Sequence, residues 1–134
     1  MKTLITNAQV VNEGKIVAAN VLINNQFIEA ILPTTSLPFA DKIIDATGLH
    51  LLPGCIDDQV HFREPGLTHK GEIYTEAKAA VAGGITSYME MPNTVPNALT
   101  QELLQDKYDI AAKKSLANYS FYMGVSNTNL DEVL

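Results

Sequence analysis

Pro53-Gly-Cys-Ile-Asp-Asp-Gln-Val-His-Phe-Arg-Glu-Pro-Gly66 is the stretch at which the pattern of this sequence changes. It reads as a β-strand that ends in a turn. Side chains two residues apart on a strand share one face. Asp57, Gln59, His61 and Arg63 are therefore expected in one row, if the strand continues as far as Arg63. A histidine, a carboxylate and an arginine in one row are typical of a binding or catalytic site.

The fifty residues before this stretch predict a small all-β domain. Runs rich in β-branched and apolar residues indicate strands over Leu4–Val11 and Ile16–Ile23, with shorter strands over 26–32 and 42–45. Turn-forming residues, among them Asn24 and Asn25, separate these runs. We predict a sandwich-like β domain over residues 1–50.

From residue 51 onward the sequence alternates strands with helices. Strands are predicted over 51–62, 86–91 and 118–125, and helices over 72–82, after a Thr100 cap and after an Asn129 cap. This order predicts βαβ units and a parallel sheet. Three such strands make a poor complete domain. We therefore predict that residues 51–134 are the truncated opening of a (β/α)8 TIM-type barrel in a longer protein. An independent three-stranded α/β domain is the alternative.

Composition excludes several classes of function. The net charge of −6 argues against sequence-independent nucleic-acid binding, which needs a basic face. No apolar run has the length of a membrane span, and the amino terminus enters a strand pattern without a signal-peptide core. Cys55 is the single cysteine, which excludes an internal disulfide and suits a reducing compartment. We expect a cytoplasmic protein that binds neither nucleic acid nor membrane.

Three polar residues lie at or just after the ends of the predicted barrel strands. Active sites of such barrels form at the carboxyl ends of the strands. His61 and nearby carboxylates suit a divalent metal such as zinc, although a structural histidine is the alternative. Arg63 offers a planar fork for an anion, and its alternative is an ion pair with Glu64 or Glu72. Asn93 would lie beside Arg63, and both could bind one anionic group, although an asparagine there is commonly a turn former.

Three blocks of the sequence resemble the amidohydrolase superfamily, and within it type I dihydroorotases. Asp45–Asp57 resembles the entry from the β domain into barrel strand 1. His61-Phe-Arg-Glu-Pro-Gly66 is more specific, because Arg-Glu-Pro-Gly is a hallmark of dihydroorotases. The block from Ala82-Gly-Gly-Ile-Thr86 to Met91-Pro-Asn-Thr94 resembles the second βα unit. The resemblance covers essentially the whole chain, but only the beginning of such an enzyme.

The resemblance implies a zinc-dependent hydrolase of pyrimidine synthesis, with one or two metal ions, that cyclises N-carbamoyl-L-aspartate reversibly to L-dihydroorotate. It implies that His61 is a metal ligand and that Arg63 and Asn93 bind the substrate carboxylate. The other ligands and a catalytic aspartate would lie on later strands, so the chain alone is expected to hold no catalytic residue and to be inactive. Allantoinases share much of this framework, and Arg63 and Asn93 favour dihydroorotase over allantoinase. Allantoinase and hydantoinase activities are lesser alternatives.

Gln59 departs from the family pattern, which has His-x-His where this chain has Gln-x-His. An amide oxygen is a weaker zinc ligand than imidazole, so reduced metal occupancy is expected. The departure supports an alternative, a non-catalytic subunit that serves as a scaffold for aspartate carbamoyltransferase. The intact Arg63 and Asn93 favour the enzyme, whose expected partners are its small-molecule substrate and, in a homodimer, a second copy.

Overall fold

The computed structural model describes all residues, 1–134, and the chain divides into two compact units, residues 1–53 and 54–134. The division lies slightly beyond the expected boundary at residue 50. The reason is the short strand His50–Leu51, which pairs with the first strand of the chain and so stays with the first unit.

The first unit is a single five-stranded sheet. Its strands are β1 (Lys2–Asn12), β2 (Lys15–Asn24), β3 (Phe27–Leu32), β4 (Lys42–Asp45) and β5 (His50–Leu51). The spatial order is β3-β2-β1-β4, and β5 also pairs with β1. β1, β2 and β3 are antiparallel neighbours, whereas β4 and β5 run parallel to β1. The predicted all-β unit is present with β1 as its central strand, but within this chain it is one sheet and not the two packed sheets of a sandwich.

The second unit alternates strands and helices as predicted. Its elements are β6 (Cys55–Val60), α1 (Ile73–Ala82), β7 (Ile85–Glu90), α2 (Gln101–Lys114), β8 (Asn118–Phe121) and α3 (Leu130–Val133). The three strands form a parallel sheet in the order β6-β7-β8. Its core packs the two longer helices on the sheet through Phe62, Ile73, Ala77, Tyr88, Ala111 and Phe121. None of the helices combines the length and apolarity that crossing a lipid bilayer requires.

Two of the predicted strands are shorter in the structure. The strand expected over 51–62 is interrupted at Pro53, which has no backbone N–H to donate, and only Cys55–Val60 belongs to the second unit. The register of β6 against β7 also shifts between Asp57 and Val60. The strand expected over 118–125 ends at Phe121. The residues that follow each strand are therefore loop residues, whose direction is set by tertiary contacts.

The helix ends differ in how well they follow the predicted caps. The Thr100 hydroxyl accepts a hydrogen bond from the Leu103 N–H at 3.2 Å, as a helix cap does. Asn129 does not cap α3, because its side chain instead joins Leu99 O, Gly124 O and Ser126 N within the loops. The buried residues of α2 are Ala111 and, unexpectedly for a charged side chain, Lys107. That lysine belongs to the site.

Candidate functional site

Three loops leave the carboxyl ends of β6, β7 and β8 at one edge of the sheet and are held together by backbone contacts. Val95 N donates to Pro65 O at 3.2 Å, which joins the first two loops. Gly124 N donates to Ala98 O at 2.8 Å, which joins the second and third. At Gly66 the first loop passes so close to Val95 that a Cβ atom would lie 2.0 Å from the Val95 carbonyl oxygen. The loop edge is thus a single packed surface.

His61 and Asn93 come together across this edge. His61 Nδ1 lies 2.8 Å from Asn93 Oδ1, and the two residues follow β6 and β7 respectively. With the amide oxygen facing the ring, Nδ1 carries the proton and donates it. The lone pair of the ring is then at Nε2. Such a bond is the usual means of orienting a metal-binding imidazole, so His61 fits the role of a nitrogen ligand.

The backbone of Arg63 is held by a hydrogen bond, whereas its side chain has no partner. Its φ of 70° lies in the left-handed region, and its N–H donates to Glu90 Oε1 at 3.0 Å. Its guanidinium makes no hydrogen bond or ion pair. The two carboxylates that were its possible partners, Glu64 and Glu72, bind Lys114 instead, at 2.6 and 3.4 Å. The ion-pair alternative for Arg63 is therefore wrong, and the guanidinium is available for an anion.

Glu64 is a structural member of the Arg-Glu-Pro-Gly turn. It is buried, and its Oε2 accepts from the Ile73 N–H at 3.0 Å, at the start of α1, which has no other side-chain cap. Its Oε1 binds Lys114 Nζ, and this hydrogen bond raises the pKa of the lysine above its ordinary value. Glu64 thus anchors the turn that follows Arg63 to both α1 and α2.

The expected single row of Asp57, Gln59, His61 and Arg63 does not form as a continuous strand face. β6 ends at Val60 with an irregular register, so His61 and Arg63 lie beyond it. Asp57 Oδ1 accepts from the Gln59 N–H at 3.2 Å. Gln59 is exposed and lines an open cleft of about 410 Å³, together with Asp58, Met91, Pro92, Tyr122, Met123, Gly124 and Val125. Asn93 lines a neighbouring cleft that shares Pro92, Gly124 and Val125 with the first.

The chain does not assemble a metal centre from its own side chains. It contains no group of three or more His, Cys, Asp and Glu residues placed to bind a metal together. Zinc sites in proteins use three or four protein ligands. His61 offers one nitrogen and Gln59 one amide oxygen, so any zinc bound here would need ligands from outside these residues.

A buried ion pair lies beneath the loops that follow β6 and β7, and the sequence did not predict it. Glu90 ends β7, Lys107 lies on α2, and each side chain is 1% exposed, with Oε2 and Nζ 3.2 Å apart. Lys107 Nζ also donates to Met91 O at 3.0 Å and lies 5.1 Å from the centre of the Phe121 ring. Burial raises the pKa of Glu90 and lowers that of Lys107, and their mutual attraction opposes both shifts.

Comparison with known proteins gives consistent matches. A sequence model of the family described as "Dihydro-orotase-like" matches residues 48–129. A dihydroorotase of Lactobacillus acidophilus is 37% identical over 134 residues, which are 100% of this chain and 31% of that protein. An allantoinase of Deinococcus radiodurans is 41% identical over 95 residues, 70% of this chain and 21% of that protein.

A solved structure gives the same result for the fold. The L-hydantoinase (dihydropyrimidinase) of Arthrobacter aurescens superposes with a TM-score of 0.92 at 30% identity, over 98% of this chain and 29% of that one. The match confirms the predicted fold class, a small β unit followed by the opening units of a (β/α)8 barrel. The chain spans about a third of the length of these relatives.

Proposed function

This chain belongs to the dihydro-orotase-like family, and on that premise we propose that it works as the first part of a hydrolase that interconverts N-carbamoyl-L-aspartate and L-dihydroorotate. The unpaired guanidinium of Arg63 is the observation that carries the proposal. In a chain of net charge −6, the two carboxylates expected as its partners, Glu64 and Glu72, bind Lys114 instead. A free arginine fork at the edge of the sheet is therefore suited to an external carboxylate.

Arg63 and Asn93 would bind the substrate carboxylate from two loops. The guanidinium can donate two parallel hydrogen bonds to a carboxylate. Asn93 uses Oδ1 for His61, which leaves its Nδ2 to donate to the same carboxylate. The Asn93 amide would thus contact both the substrate carboxylate and the imidazole of His61, and would fix the position of one relative to the other.

His61, with Gln59 as a weak oxygen ligand, would hold zinc together with ligands outside this chain. When bound, zinc supplies Lewis-acid polarisation of an amide carbonyl and a lowered pKa for water. The chain's own residues bind and orient the substrate. In this proposal the proton transfers belong to groups on later strands.

The test is an assay of the full-length protein for hydrolysis of L-dihydroorotate with zinc supplied. Replacing Arg63 by Met should raise KM for dihydroorotate by roughly 100-fold, since a charge-assisted bidentate contact is worth about 3 kcal/mol. Lys70→Met is the matched control, because Lys70 is an exposed loop residue and its loss changes the net charge equally. Absence of turnover in the wild-type protein would refute the enzyme, and equal effects of the two variants would refute the role of Arg63.

Gln59 favours a second candidate function, a non-catalytic subunit that binds aspartate carbamoyltransferase. A chain that places an amide where the family pattern implies an imidazole would give up part of its metal affinity. Metal analysis of the full-length protein separates the two candidates. A protein without zinc or turnover that co-migrates with aspartate carbamoyltransferase in gel filtration would support the scaffold. A zinc-loaded, active protein would exclude it.

A further inference from the structure

The buried pair of Glu90 and Lys107 directs its hydrogen bonds at the backbone of the two binding loops. Glu90 Oε1 accepts from the Arg63 N–H at 3.0 Å, and Lys107 Nζ donates to Met91 O at 3.0 Å, two residues before Asn93. Glu90 Oε2 lies 3.2 Å from Lys107 Nζ, and this ion pair joins the two side chains. The carboxylate is therefore joined to one loop and the ammonium to the other.

We propose that Glu90 and Lys107 are positioning residues, which fix the backbone of Arg63 relative to that of Asn93 so that both can bind one carboxylate. The identity of the ligand rests on the proposed function. The positioning itself rests on the contacts to Arg63 N and Met91 O.

Stability alone does not account for a charged pair at this place. An apolar pair of similar volume is often as stable as a buried ion pair, or more stable. Burial opposes the charge of both groups, as the raised pKa of Glu90 and the lowered pKa of Lys107 indicate. An apolar pair would fill the same space, but it would offer nothing to the Arg63 N–H or to the Met91 carbonyl.

The backbone of Arg63 needs such a contact. A φ of 70° is an uncommon conformation for a residue with a long side chain, and it persists only where surrounding contacts impose it. The Glu90 carboxylate fixes the N–H of Arg63, and the Leu67 N–H donates to its carbonyl at 3.1 Å. With both backbone polar groups of Arg63 held, its Cα–Cβ bond leaves the loop in a fixed direction, which is the first requirement of a preorganised binding group.

The test compares the full-length protein with its Glu90→Met/Lys107→Met variant, which removes both charges and keeps the core filled. Tyr88→Phe is the control, because Tyr88 is a buried residue of the same strand whose hydroxyl binds only Ser115. Hydrogen–deuterium exchange at the Arg63 amide should rise by roughly tenfold or more in the double variant. Kd for L-dihydroorotate should rise by roughly tenfold. Kd for 5,6-dihydrouracil, the same ring without the carboxylate, should stay unchanged.

A background in which Arg63 is replaced by Met separates positioning from general damage. Because the pair acts through Arg63, the double replacement should then change Kd for dihydroorotate by no more than about twofold. An equal rise in Kd for dihydroorotate with and without Arg63 would overturn the proposal. The proposal would also fail if the Arg63 amide of the double variant exchanged no faster than that of Tyr88→Phe. If the wild-type protein binds dihydroorotate no better than dihydrouracil, the proposed ligand is wrong. Exchange at Arg63 then decides the backbone role by itself.

Discussion

Replacement of Gly66 by alanine should destabilise the second unit by a calculable amount. Gly66 has φ of +81°, and a Cβ there would lie 2.0 Å from the Val95 carbonyl oxygen and 2.7 Å from the Val95 Cβ. An L-residue in the left-handed region costs about 1–2 kcal/mol. Moving Val95 away to relieve the clash also breaks its hydrogen bond to Pro65 O, which is worth about 1 kcal/mol. We expect Gly66→Ala to lower the free energy of unfolding by about 2–3 kcal/mol.

Gly84→Ala is the matched control for this measurement. Gly84 has φ of +90° in the same unit, but no atom lies within 4 Å of a Cβ at that position. It should therefore show the backbone strain alone, about 1–2 kcal/mol. Urea unfolding followed by circular dichroism measures both variants against the wild-type protein. If Gly66→Ala lowers the free energy of unfolding no more than Gly84→Ala does, Val95 can move away without cost. The packing of the first loop against the second is then not rigid.

Three further predictions concern a helix cap, a buried phenol and the metal. Thr100→Ala should lower the free energy of unfolding by about 1 kcal/mol, since the Leu103 N–H loses its acceptor; unchanged urea unfolding would contradict this. Burial raises the pKa of Tyr88 to about 12, against about 10 in the unfolded chain. The neutral phenol of Tyr88 therefore contributes fully to the free energy of unfolding below pH 10, and this contribution is lost as the pH rises from 10 to 12. Between pH 10 and pH 12 the free energy of unfolding of Tyr88→Phe, measured in urea, should therefore fall by roughly 2–3 kcal/mol less than that of the wild-type protein. An equal fall in both proteins would refute this prediction. Gln59→His should raise zinc occupancy of the full-length protein in metal analysis; unchanged stoichiometry and affinity would show that Gln59 does not face the metal.

Periodicity in the sequence was enough to predict the order of elements, because each strand and helix of the second unit carries its own pattern. It also located Thr100 as a cap and His61, Arg63 and Asn93 at strand ends. Their roles as ligands remain proposals. Pro53 was visible in the sequence, but the interruption of the strand that it causes was not predicted. Assigning His50–Leu51 to the first sheet required knowing that β1 had an open edge.

The features that the sequence analysis missed are long-range and charged. Lys107 lies four residues before the buried Ala111 and three after Leu104, so its place on the buried face was visible in the helical period. Its charge argued for solvent, because the partner Glu90 is on another element. The left-handed backbone of Arg63 depends on that same carboxylate. Local patterns cannot indicate such conformations, since a contact distant in sequence imposes them.

The central position of β1 determines the order in which the strands of the first unit can pair while the chain is being synthesised. β1 and β2 are adjacent in sequence and can form a hairpin as soon as both have emerged. The other edge of β1 must wait for β4 and β5, with Thr6 pairing to Asp45 and Val10 to Leu51. At translation rates of about 5–20 residues per second that wait is on the order of seconds. During this interval one edge of β1 exposes unpaired backbone N–H and C=O groups, which can pair with another chain, so a chaperone would act mainly in this period.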